Sequence, residues 1–385
     1  AKVYMDRIGL ELDPRTLVSS LSVAQKQMVE IAKAISNDVK VLVLDEPTAA
    51  ITDKETERLF SIVRDLKKQG IGIIYISHRM NELFEIGDRC TVMRDGEYVN
   101  TVELSQTNVD DLTEMMVNRR VTFEKVHNPF VSEQETAMTV EGLYYRNLLK
   151  DVNFDLKKGE ILGVAGLVGS GRTETAKCII GAYTKDKGKI TVKNGTVELK
   201  ANSISDAIEN GVVYLSEDRK DEGLVLMHSL ERNITLPNLS QFGKAVLNTR
   251  RMPSFATEYM QKLRVKAVNC QQEARRLSGG NQQKVVMAKI MATEPELMLM
   301  HDITRGVDVG TKKEMFSLVR DFAAKGNAVV FFSTDVEELV NICDRVLVMY
   351  DGKIAADLKD DAMTKENIIS ASIGNTVEGG DGSEE

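Results

Sequence analysis

Short apolar runs alternate along this chain with stretches whose apolar residues recur at helical spacing. Residues 41–44 (VLVL) follow an amphipathic stretch at 27–36 (QMVEIAKAIS) and precede another at 55–70 (ETERLFSIVRDLKKQG). An apolar run at 71–77 (IGIIYIS) and a mixed one at 90–99 (CTVMRDGEYV) come next. The short runs predict buried strands and the periodic stretches predict helices. The same order returns later, with helical patterns at 283–292 and 311–326 and apolar runs at 297–300, 328–333 and 346–355. Strands alternating with helices predict parallel sheets and an α/β fold.

The recurrence is an internal repeat. At a constant offset of 256 positions, Leu21 falls on Leu277, Ser22 on Ser278, Thr48 on Thr304, Gly70 on Gly326, Ser77 on Ser333 and Gly96 on Gly352, without a gap. A repeat of this length means two copies of one folding unit. The pattern predicts the C-terminal part of a first domain over 1–104, a linker over 105–136, a complete second domain over 137–374, and an acidic, Gly-rich, disordered tail over 375–385.

Composition narrows the functional classes. Hydrophobic residues make up 42% and charged residues 28% of the 385-residue chain, as in globular proteins of about two domains. With a net charge of −8 and no basic block, nucleic acid is not an expected partner. Four isolated cysteines, with no Cys-x-x-Cys pair, read as reduced thiols rather than a metal framework. No apolar run approaches the roughly 18 residues of a membrane helix, so membrane contact is expected to be peripheral.

Candidate chemistry sits where strands end. In 160–180 (EILGVAGLVGSGRTETAKCII) a strand runs into Gly166, Gly169, Ser170 and Gly171, then Arg172 and Thr173 open a helix. This is the spacing of a phosphate loop: backbone N–H groups converge on phosphate oxygens, and the Thr hydroxyl reaches toward Mg²⁺. Arg172 stands where the pattern wants Lys, and a planar guanidinium replaces a compact ammonium. Without other motifs, a tight turn with no ligand stays an alternative reading of this loop.

The run 41–44 ends in Asp45 and Glu46, a metal-holding carboxylate and a candidate general base, or, taken alone, an exposed acid pair before Pro47. Its repeat partner, 297–300, ends in His301 and Asp302. Residues 277–284 (LSGGNQQK) put Ser278, Gly279 and Gly280 at a helix start, a second anion-binding device. The partner stretch keeps Ser22 but carries Val23 and Ala24, whose Cβ atoms block close phosphate approach. His78 follows the strand 71–77, where a γ-phosphate contact is expected, while its partner is Thr334. His127 and His228 have no such company.

Taken together, the phosphate loop, LSGGNQQK, DEPTAAITDKE at 45–55, ISHRMNELFEIGDR at 76–89, SEDRKDEGL at 216–224 and TRGVDVGTK at 304–312 resemble the ATP-binding-cassette ATPases. The tandem arrangement is similar to the ATP-binding subunits of bacterial monosaccharide importers of the ribose, xylose, arabinose and galactose type. The resemblance implies two P-loop NTPase cassettes in tandem, the first incomplete. It also implies ATP and Mg²⁺ as ligands, and head-to-tail pairing in which each nucleotide lies between one cassette's loop and the other's signature.

On that reading, Asp45 holds Mg²⁺, Glu46 is the general base and His78 contacts the γ-phosphate. Ser278, Gly279, Gly280 and Gln282 of the signature face them. The loop from Gly166 to Thr173, with Glu217 where the family usually has Gln and with His301, Asp302 and Thr334, faces the altered Ser22–Val23–Ala24 and forms a degenerate site. The implied partners are integral-membrane sugar permease subunits and, indirectly, a periplasmic or extracellular sugar-binding protein. The implied location is the cytoplasmic side of the membrane.

Shifting the phosphate loop back by the repeat offset places the first cassette's own loop about 90 positions ahead of Ala1, so the chain reads as N-terminally truncated. Two alternatives follow: a nucleotide-binding chain that does not hydrolyse, and a soluble tandem-cassette ATPase unrelated to transport.

Overall fold

The computed structural model describes all residues except 11, 38, 49–52, 78–79, 95–96, 110, 113–114, 116–129, 133–134, 244–245, 306, 308 and 378–385. The chain divides into two compact units, one of Ala1–Thr122 with Asp308–Gly310, the other of Phe123–Val307 and Thr311–Glu385.

In the first unit, β1 (Val41–Asp45) and β2 (Gly72–Ile76) pair in parallel, Asp45 opposite Ile76. The helices Val23–Ile35 and Asp53–Lys68 bring Ile31, Ile35, Leu59, Val63 and Leu66 onto Leu42 and Leu44 of β1. Among the described residues one face of the sheet is covered and the other open: Val41, Val43, Ile74 and Ile76 are between 47% and 56% exposed. An antiparallel hairpin follows, β3 (Arg89–Arg94) and β4 (Glu97–Glu103).

Part of the stretch expected to be a linker, 105–136, packs within the first unit. Leu104 and Leu112 are buried with Val92 in a small core, because two leucines on a turn and a helical segment close over the hairpin's apolar face. Most of the remaining linker lies outside the described residues.

The second unit has two sheets. β5 (Thr136–Tyr145), β6 (Leu149–Lys157), β8 (Lys187–Val192) and β9 (Val197–Glu198) form an antiparallel sheet in the order β6-β5-β8-β9. β7 (Ile161–Gly166), β10 (Val212–Leu215), β11 (Leu297–His301), β12 (Ala328–Phe332), β13 (Arg345–Tyr350) and β14 (Lys353–Lys359) form the central sheet. Its order is β10-β11-β12-β7-β13-β14, parallel except for β14.

All five residues of β11 are buried. Met298 and Met300 face a helical core with Val285, Met315 and Phe331, while Leu297 and Leu299 face a second core with Val164, Ala176 and Ile179. A continuous apolar run is what a parallel strand covered on both faces requires. Of the tail expected to be disordered, Val377 packs against the helical core, and 378–385 lie outside the described residues.

Candidate nucleotide-binding site

Gly166 ends β7 with φ of 145°, and a Cβ there would lie 2.5 Å from Ser170 Oγ and 2.6 Å from the Met349 carbonyl oxygen. Only glycine closes this turn. The loop then folds back, Ser170 N–H donating to Leu167 O at 3.0 Å, and Gly171 with φ of 105° starts the helix Arg172–Ile179. Gly169, with φ of 86°, presents open space where a side chain would project. A glycine-rich loop that runs into a helix N-terminus is an arrangement that favours an anion.

Two side chains in the loop are buried with polar atoms left over. Ser170 is 6% and Arg172 5% exposed, yet Ser170 Oγ and Arg172 Nε and Nη1 have no hydrogen-bond partner among the described residues. Buried orphaned donors are costly, and acceptor atoms of the kind a phosphate carries are what these side chains lack. Burial pulls the Arg172 guanidinium below its ordinary pKa, opposed by the carboxylates of Asp302, Glu217 and Glu174. Thr173 follows in the first turn of the helix.

Beside the loop, β11 delivers His301 and Asp302, which are 1% and 6% exposed. Asp302 has φ of 43°, and its N–H donates to Phe332 O at 2.8 Å. Its Oδ1 accepts from Thr334 N–H at 2.8 Å and from Thr334 Oγ1 at 3.1 Å. His301 Nδ1 lies 3.1 Å from Tyr214 Oη, and its Nε2 lies 3.7 Å from Asp302 Oδ2. Burial lowers the His301 pKa, so the imidazole is neutral at pH 7; the nearby Asp302 carboxylate acts in the opposite direction. Glu217 arrives from the turn after β10 and pairs with Arg305 at 3.4 Å.

The first unit repeats this strand end with different chemistry. Glu46 has φ of 44°, and its N–H donates to Ile76 O at 2.8 Å, as at Asp302. Asp45 and Glu46 are exposed. His78 lies outside the described residues.

The two signature helices differ in how they begin. Ser22 closes a capping box: Gln25 N–H donates to Ser22 Oγ at 3.2 Å, and Ser22 N–H donates to Gln25 Oε1 at 3.0 Å. Ser278 has the same backbone conformation but makes no cap; its Oγ accepts from Asn281 Nδ2 at 3.1 Å. The helix-start N–H groups at Gly279 and Gly280 are thus not capped by that hydroxyl. Gln282, expected among the ligand-binding residues, is 6% exposed, and its amide donates to Ala274 O at 3.2 Å. That bond holds the preceding turn and commits the side chain inward.

Sequence reasoning did not single out Tyr214, nor Glu338, which accepts from Thr304 Oγ1 at 2.6 Å and Ser333 Oγ at 2.9 Å. A signal existed for the latter: Glu82 and Glu338 are identical at the repeat offset, like the Thr and Ser that bond them.

A phosphate loop at the carboxyl end of a parallel sheet, a glycine-started helix and acid-bearing strand ends define a P-loop nucleotide-binding protein of the cassette type. Solved ATP-binding cassettes of ABC transporters share the fold. One in its ADP conformation superposes with a TM-score of 0.53 at 19% identity, covering 63% of this chain and all of its own. A nucleotide-free cassette gives 0.52 at 20%, covering 62% of this chain and all of its own.

The family described as ABC transporter matches residues 1–49 and 149–305. The ribose import ATP-binding protein RbsA of Clostridium perfringens is 42% identical over 97% of this chain and 74% of its own length. A putative ribose/galactose/methyl galactoside import ATP-binding protein of Burkholderia ambifaria is 43% identical over 96% of this chain and 72% of its own length. The chain belongs to the ABC transporter family, as one of its ATP-binding chains.

Proposed function

We propose that this chain is the ATP-hydrolysing subunit that energises import of a monosaccharide through an ABC transporter. The reading is carried by the buried, unpartnered Ser170 and Arg172 side chains in a phosphate loop, together with relatives whose names specify ribose or galactose import. No helix among the described residues is long and apolar enough to cross a membrane. From the import function in the relatives' names, membrane-embedded permease subunits are the proposed partners, an extracellular or periplasmic sugar-binding protein an indirect one, and the cytoplasmic membrane face the proposed location.

Hydrolysis is assigned to the first cassette. Asp45 offers the hard carboxylate oxygen that suits Mg²⁺, which would neutralise phosphate charge. Glu46 is placed on the next residue of the same strand end, where a carboxylate can take a proton from an attacking water, and His78 is assigned to the γ-phosphate. Ser278, Gly279 and Gly280 are assigned to phosphate binding through the uncapped helix start.

The second cassette retains nucleotide without hydrolysing it. Asp302 is one methylene shorter than Glu46, and its Oδ1 is held by two donors of Thr334. Thr173 and Glu217 offer oxygen there, but His301 puts a nitrogen where Mg²⁺ wants a carboxylate, so the donor set does not fit that ion.

The decisive experiment measures ATP turnover of the chain with its permease in vesicles. Glu46→Gln is expected to lower turnover at least about 10²-fold, while Asp302→Asn leaves it nearly unchanged. Equal loss in both variants would sink the asymmetric assignment.

A further inference from the structure

We propose that Glu217, His301 and Asp302 form a binding site for a first-row transition-metal dication, such as zinc or cobalt(II), and that this site discriminates against magnesium. One ligand atom from each residue lies within 4.8 Å of the other two. Two of the three residues are buried, at 1% and 6% exposure, while Glu217 leaves one side open to solvent.

The buried pair is oriented from outside the trio. Tyr214 Oη holds His301 Nδ1 at 3.1 Å, and Thr334 holds Asp302 Oδ1 through both its N–H and its hydroxyl. What remains is Nε2 and Oδ2, facing each other at 3.7 Å. Two donors each about 2.1 Å from a tetrahedral ion are about 3.4 Å apart, so a small closure brings both into range. In the tautomer whose Nδ1–H donates to the tyrosine oxygen, Nε2 presents its lone pair. An outer hydrogen bond that sets the ligand tautomer is the usual arrangement around metal-bound histidine.

Imidazole nitrogen with two carboxylates suits zinc or cobalt, whereas magnesium demands near-octahedral oxygen and gives up its water reluctantly. A bound cation has to draw Glu217 away from Arg305, now at 3.4 Å. It also has to share the carboxylates with the Arg172 charge, whose Nε and Nη1 remain available to an anion. The competing role for His301 is packing, since its ring meets Phe332 edge-on at 5.9 Å.

The site requires no bound nucleotide, so its test is separate from that of the nucleotide reading. The chelator-stripped full chain is titrated with cobalt(II), following the visible absorption of the ion. One cobalt per chain is expected, displaced by an equivalent of zinc and resistant to a hundredfold excess of magnesium. His301→Asp should weaken cobalt at least tenfold and let magnesium compete, and Tyr214→Phe should weaken it about tenfold.

No cobalt bound, a spectrum unchanged in His301→Asp, or equal competition by magnesium in the wild type would each overturn the site and leave His301 a packing residue. If His301→Asp fails to fold by circular dichroism, Glu217→Gln at the exposed side replaces it with the same tenfold expectation. Binding of a fluorescent ADP in chelator reports the phosphate loop independently.

Discussion

Thr304 Oγ1 donates to Glu338 Oε1 at 2.6 Å, and the repeat partners Thr48 and Glu82 make the same bond at the same length. In both units the glutamate also accepts from the serine that follows the adjacent strand, at 2.9 Å. The bond ties the turn after one strand to the helix after the next, and it stands two residues beyond Asp302 and Glu46, where φ is positive. A non-glycine residue in that region persists only when its surroundings hold it.

Each buried glutamate has a further partner. Glu338 pairs with Lys312 at 2.7 Å, whereas Glu82 accepts from Tyr75 Oη at 2.9 Å. Glu338→Ala takes from the Lys312 ammonium, 24% exposed, the nearer of two carboxylates, leaving Asp335 at 3.1 Å, and also removes the acceptor of the Thr304 and Ser333 hydroxyls; it is expected to lower stability by about 3 kcal/mol in urea unfolding. Glu82→Ala removes the acceptor of the Thr48, Tyr75 and Ser77 hydroxyls and is expected to cost about 2 kcal/mol.

Ser22 and Ser278 should separate structural from ligand-binding roles. Ser22→Ala removes a capping box and is expected to cost about 1 kcal/mol of stability. Ser278→Ala removes no cap, so its unfolding midpoint should stay close to the wild type while ATP turnover falls. Equal destabilisation by the two changes would contradict the different roles.

Arg345 is a joint between the sheets of the second unit. Its Nε meets Glu160 Oε1 at 2.8 Å and its Nη1 meets Asp357 Oδ2 at 3.0 Å, with side-chain exposures of 8% for Arg345 and 5% for Glu160. Arg345→Met leaves the Glu160 carboxylate buried and uncompensated. A loss of about 3 kcal/mol is expected, recovered in large part by adding Glu160→Gln in a double-mutant cycle.

Glu222 carries a pH-dependent share of stability. The Ser216 hydroxyl at 2.6 Å and the Lys177 ammonium at 2.9 Å hold its carboxyl below the ordinary value of 4.5. A depressed acid stabilises the fold above the unfolded-state pKa, and that contribution is lost as pH falls through the folded-state pKa. The wild type should therefore melt above Glu222→Gln at pH 7, with the gap closing below about pH 4.5. A gap that widened in acid would refute the assignment.

Much of the second unit was legible in the chain. The fully apolar 297–300 run announced a strand covered on both faces, and Gly166 to Thr173 announced the strand–loop–helix turn, because local backbone requirements leave few residue choices there. The repeat located both strand ends. The packing of Leu112 escaped notice, since one leucine in a polar stretch carries no periodic signal until the hairpin it covers exists.

By itself, then, the order of residues determined the α/β class and the tandem-cassette organisation, and it marked the positions proposed for phosphate and metal chemistry. These follow from periodicity and from motifs spanning a few residues. Tertiary structure alone decided which side-chain atoms are committed. Gln282 turns inward to Ala274, and Tyr214 and Thr334 orient His301 and Asp302. Such commitments depend on hydrogen bonds a few ångströms long between residues as far apart as 87 positions, a distance scale that no local pattern encodes.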